Sequence, residues 1–163
     1  MICVATMLVQ IPIPATGGYA NLGDGVILIC AFLMHPLYAV IAAGLGSALA
    51  DILAGYLSFA PGTLLIKAGV ALIGALLFKR FGRNAAAKKA FATMLVASIL
   101  AEAFMIIGYF FYVAVFMGAG IGAAGGVIGN VGQGVAGIIV ACIVAPALRR
   151  SDEVLEWMDK TRR

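Results

Sequence analysis

Four charges stand alone in this chain, and all its other charged residues lie in two clusters. Asp24, Asp51, Lys67 and Glu102 are separated by long apolar runs; the rest gather at 79–89 and 149–163. Apolar runs of about 18 residues or more read as transmembrane helices, with lipid as the solvent. Composition agrees: 64% of the 163 residues are hydrophobic and 11% charged, against about a quarter charged in soluble domains. The expectation is an all-α integral membrane protein: one domain, residues 1–163, with six transmembrane helices in a bundle.

At about 1.5 Å per residue, a hydrocarbon core of about 30 Å takes roughly 20 residues. The first helix, 1–11, is short by that measure and carries no basic leader, so it reads as the second half of a helix. Pro12 and Pro14 end it, and Thr16-Gly17-Gly18 turns the chain towards Tyr19. Asn21 and Asp24 form an approximate capping box for a second helix, 21–34. His35-Pro36 separates it from a third, 37–57. Pro61 suits the first turn of a fourth, 61–81. A basic link leads to a fifth, 91–117, and the glycine-rich run GAGIGAAGG precedes a sixth, 127–148. Residues 151–163 read as an amphipathic tail with Trp157 as an interfacial anchor.

Six crossings from a cytoplasmic N-terminus place both basic clusters and the C-terminus on the cytoplasmic side, as the positive-inside rule requires. The outer loops then contain no Lys, Arg, Asp or Glu. Neither cluster is large enough to read as a specific anionic-lipid site. Basic residues are not interleaved with polar and aromatic ones across a face, so nucleic acid is not expected. Cys3, Cys30 and Cys142 are isolated in apolar runs and His35 is the lone histidine, so no metal or cofactor is expected. The glycine-rich run follows a membrane helix instead of a strand, which removes the phosphate-loop reading. No nucleophile–base pair is evident, and an enzyme is not expected.

Charges inside a membrane are costly unless paired or facing a cavity. Asp51 and Lys67 lie at matching depths on either side of a tight turn, so they read as an ion pair that either locks two helices or lines a polar pocket. Asp24 reads as a helix-dipole and capping residue; Asn21 either caps or contacts a ligand. Glu102, Met105, Tyr109 and Tyr112 share one helical face, which reads as the wall of a pocket for an aromatic ligand. Asn130 and Gln133 face one way near the outer end of the sixth helix, suited either to a heteroaromatic ligand or to interhelical bonds. Tyr19, Tyr56 and Phe59 lie in glycine-containing turns that either close over a site or sit at the interface. Small residues at Ala39, Ala43 and Ser47, and the Ala5 and Val9 face of the first helix, favour close helix contact within the protein or with a partner.

Asn21 to Asp24 (NLGD), Gly46 to Tyr56 (GSALADILAGY) and Ala60 to Lys67 (APGTLLIK) together resemble the substrate-binding S component of energy-coupling factor (ECF) vitamin transporters. The nearest subgroup is that of the riboflavin, hydroxymethylpyrimidine and pyridoxine-type S components, and the likeness covers nearly the whole chain. The resemblance implies capture of a vitamin at the outer face of a bacterial plasma membrane. The pocket would be formed by the fourth, fifth and sixth helices with the outer loops. It also implies a transmembrane scaffold subunit (T component) and two cytoplasmic ATPases as partners, and toppling of the S component to deliver its cargo. In the family the scaffold contact uses small residues at four-residue spacing in the first helix, where this chain offers only Met1, Ala5 and Val9. Acids, a lysine, tyrosines and amides suit a small hydroxylated heteroaromatic such as hydroxymethylpyrimidine or pyridoxine; riboflavin needs more room. Other classes are a self-contained secondary transporter, with buried acids carrying protons, and a purely structural membrane subunit.

Overall fold

The computed structural model describes residues 1–151 together with 153, 154 and 156. The chain runs α1 (Ile2–Leu8), β1 (Gln10–Ile13), β2 (Gly18–Asn21), α2 (Gly23–Leu33), α3 (Pro36–Leu53), α4 (Ala60–Leu77), α5 (Ala87–Phe111) and α6 (Val127–Leu148). One π-helical turn, Phe78–Gly82, prolongs α4, and another, Tyr112–Phe116, prolongs α5. A 3-10 segment, Gly120–Gly126, leads into α6. Trp157 and most of the expected tail lie outside the described residues.

Local chemistry sets the boundaries. Met34 is extended, and His35 caps α3 through its Nδ1, which accepts from the Leu37 N–H at 3.3 Å, with Pro36 in the first turn. Gly55, at φ +84, reverses the chain after α3 in a region that side-chain-bearing residues rarely enter. The expected first helix is shorter than 1–11, because residues 10–21 form an antiparallel hairpin. In it Gln10 pairs with Asn21 and Pro12 with Tyr19. A two-stranded sheet has only edge strands, where a proline's missing N–H is tolerated. The protein is mostly helical, consistent with the all-α membrane expectation, and the short hairpin is an addition to it.

α3 turns small residues inward and large ones outward. On α3, Leu37, Ile41, Leu45, Leu49 and Leu53 are exposed at four-residue spacing, while Ala39, Ala43 and Ser47 are buried. That small-residue face therefore packs inside the chain and is not a surface for a partner, which corrects the expected scaffold contact at those three positions. Close approach is the reason: a Cβ on Gly44 would lie 2.9 Å from the Leu64 carbonyl oxygen of α4. Of the expected contacts on α1, Ala5 is half-buried and Val9 exposed.

With their extensions, α3, α4, α5 and α6 are each long and apolar enough to cross a membrane. The shorter α1 and α2 have 7 and 11 residues. α2 packs against both α4 and α6, and α5 closes the bundle against the same two helices. The hairpin turn rests on the glycine-rich segment before α6, where a Cβ on Gly126 would lie 2.6 Å from the Thr16 methyl. These contacts place the hairpin over one end of the bundle.

Candidate functional site

Beneath the hairpin, charged and amide groups from three helices meet. Asp24, in the first turn of α2, is fully buried and pairs with Lys67 of α4 at 2.6 Å. Its other oxygen accepts from Gln133 Nε2 of α6 at 2.6 Å. Gln133 Oε1 in turn accepts the Asn21 N–H at 2.7 Å, which ties β2 to the ion pair. Asn21 Oδ1 accepts the Gly23 N–H at 2.9 Å. Each oxygen of the Asp24 carboxylate is thus met from a different helix, which is what makes burying its charge tolerable.

This network corrects two expectations. Asp24 does not cap α2; it is the partner of Lys67, because α2 packs directly against α4 at this depth. Asp51 is instead engaged by the hairpin, accepting the Tyr19 hydroxyl at 2.6 Å. Burial, then the bond to Asp51, pushes the Tyr19 phenol well above its ordinary value. Its ring lies 4.6 Å from that of Tyr56, which lies 6.4 Å from Phe59.

Between the network and the hairpin is a cavity of about 30 Å³, room for little more than a water or two. Tyr19, Asn21, Asp51, Lys67, Tyr109, Asn130 and Gln133 all line it, so the structure brings these seven sequence candidates together. Tyr109 shares a hydrogen bond with Thr63 at 2.8 Å, and Lys67 Nζ stands 5.4 Å from the centre of its ring.

Three candidates lie elsewhere. Tyr56 is half-buried and backs Tyr19 from outside the cavity. Tyr112 donates to the Ser58 carbonyl at 2.7 Å, its ring filling the space over Gly62. Glu102 is buried behind the cavity against Gly134, with neither carboxyl oxygen hydrogen-bonded. Of the expected wall on α5, only Tyr109 reaches the cavity; Tyr112 stands where the helix passes into a π-helical turn, and Glu102 and Met105 are buried in the packing of α5.

Sequence reasoning missed Thr6, Thr63 and Phe110 in the cavity lining, and assigned Ser47 to a different role. A signal for two of them was present: Ser47 and Thr63 each precede a lone charge, Asp51 or Lys67, by four residues and so share its helical face. Thr6 Oγ1, Ser47 Oγ and Asp51 Oδ2 are buried without a hydrogen-bond partner, and all three belong to residues lining this cavity. Buried polar groups are nearly always bonded, so three orphans around one space mark it as a place for a polar guest. Among the described residues no group of His, Cys, Asp and Glu is arranged to hold a metal ion.

Apolar helices around one buried polar cavity define a membrane-embedded protein that binds a small molecule. The family model for the ECF-type riboflavin transporter, S component, matches residues 1–150, and the chain belongs to that family. It is a multi-pass membrane protein and a substrate-binding subunit of a vitamin transporter. It is also similar to a Pyrococcus woesei protein described as "Uncharacterized protein in gap 3'region". The two are 38% identical over 139 residues, covering 85% of this chain and 88% of that one.

Proposed function

We propose that this chain captures a small hydroxylated heteroaromatic vitamin, of the hydroxymethylpyrimidine or pyridoxine kind, at the outer face of the cell membrane. It then delivers the vitamin inward as the S component of an ATP-driven importer, with a transmembrane scaffold subunit and two cytoplasmic ATPases as partners. The basic link and the C-terminus lie on the cytoplasmic side, and the cavity end faces out. The observation that carries the reading is the set of orphaned polar groups at Thr6, Ser47 and Asp51 beside the Asp24–Lys67–Gln133 network. Hydroxyls and amino or pyridinium N–H groups of such a vitamin would supply the missing partners. Tyr109 and Phe110 would cover its ring faces, and the Asn130 amide, half-buried in the wall, would read a ring heteroatom.

Ligand sites occupy roughly 300–1,000 Å³, far more than the present cavity of about 30 Å³. Binding therefore requires the hairpin and the glycine-rich segment to part, and the cavity as it stands is a closed state. Gly118 and Gly120, both in the left-handed region at the start of the glycine-rich segment, suit a hinge there.

A second reading, riboflavin as the substrate, is favoured by the description of the matching family. It demands the larger opening. Mass spectrometry of small molecules released from protein purified in mild detergent separates the two readings. A bound pyrimidine or pyridine supports the first, a flavin replaces it with the second, and the absence of any vitamin after incubation with all three counts against both.

A further inference from the structure

At the opposite end of α4, α5 and α6, the two basic clusters of the sequence meet around a larger recess. It encloses about 530 Å³, with Lys88 from the first turn of α5 and Arg149 and Arg150 from the end of α6 at its edge. Phe91, Met94 and Pro146 form its apolar lining. Arg149 is held in place: its Nη2 donates to the Arg83 carbonyl at 3.1 Å, and its guanidinium stands 4.6 Å from the centre of the Phe78 ring. Burial and the nearby Arg83 charge lower its pKa, so an anion here would offset a repulsion already present. On the other flank of α5, Lys89 tops a second groove of about 300 Å³ lined by Leu77, Phe81 and Val96.

We propose that the 530 Å³ recess binds an acidic phospholipid. The phosphate sits among Lys88, Arg149 and Arg150, and an acyl chain lies along Phe91, Met94 and Pro146. Charge complementarity selects the headgroup, and basic pockets between membrane helices are suited to it. The apolar lining directly beside the cations selects a lipid over a free anion, which would leave that surface unused. Both helix ends belong to segments long enough to cross a membrane, so the cations fall where lipid headgroups lie. The vitamin cavity shares none of these residues.

The test is native mass spectrometry of the full chain in mild detergent with dioctanoyl phosphatidylglycerol, dioctanoyl phosphatidylcholine or inorganic phosphate. One phosphatidylglycerol per chain is expected, held about tenfold more tightly than phosphatidylcholine, and not displaced by millimolar phosphate. Lys88→Gln with Arg150→Gln, both at exposed positions, should weaken it about thirtyfold. Lys79→Gln with Arg80→Gln removes the same charge outside the recess and should leave retention within about twofold. Should the first pair lower the yield, Arg150→Gln alone should still cost about fivefold. Equal retention of the two lipids, displacement by phosphate, or an equal loss in both variant pairs would overturn the proposal.

Discussion

Replacing Lys67 by methionine tests the centre of the bundle. The ammonium is 2% exposed and 2.6 Å from a carboxylate that is 0% exposed. Lys67→Met leaves Asp24 with one amide donor, Gln133, and no countercharge. Orphaning one member of a buried pair costs about 3–5 kcal/mol. At roughly 2–4 °C per kcal/mol for a chain of this length, the melting temperature should fall by about 6–20 °C. Thermal unfolding in detergent, followed by circular dichroism, measures this. Adding Asp24→Asn removes the stranded charge while keeping an acceptor for Gln133, and should restore most of the loss. Adding Asp51→Asn instead should restore nothing. A single variant melting within about 2 °C of the parent, or recovery through Asp51 and not Asp24, would refute the assignment of the pair.

Tyr19→Phe removes the 2.6 Å bond that holds the hairpin to Asp51. A hydrogen bond to a charged group contributes about 1.5–3 kcal/mol, so stopped-flow measurement should show vitamin release faster by roughly 10- to 150-fold. The raised Tyr19 pKa means that the folded state holds this proton more tightly than the unfolded chain does. Its contribution is fully present below the unfolded value of about 10 and is lost as pH rises above it; the alkaline fall in melting temperature should be shallower in Tyr19→Phe. In Gly44→Ala the new methyl would lie 2.9 Å from the Leu64 carbonyl, so α3 and α4 must separate. Unfolding should show a loss of about 1–3 kcal/mol.

The helix order and the boundaries of α6 were legible because apolar runs broken by Pro, Gly and charge are strong local signals. The hairpin at 10–21 was not. Pro12 and Pro14 stop a helix, yet nothing local says that the chain beyond Gln10 pairs with itself. Spacing along α3 and α4 put Asp51 and Lys67 at one depth, but depth carries no information on which side of α4 a third helix packs. Because α2 packs against α4 at that depth, Asp24, and not Asp51, takes the lysine. The site residues read from lone polar groups, Asn130 and Gln133 among them, do line the cavity. Glu102, chosen by the same rule, faces α6 behind it, and Tyr112 is turned away where α5 loosens into a π-helical turn.

The central claim is that the cavity beneath the hairpin is the vitamin site, and calorimetry tests it most directly. Hydroxymethylpyrimidine, pyridoxine and riboflavin are titrated in turn into the purified protein and into Asn130→Ala and Asp51→Asn. The account predicts that one of them binds at one molecule per chain. Each variant should weaken it by about tenfold, the value of one lost hydrogen bond, while the protein stays folded. Binding of none of the three, or unchanged affinity in both variants, would contradict it.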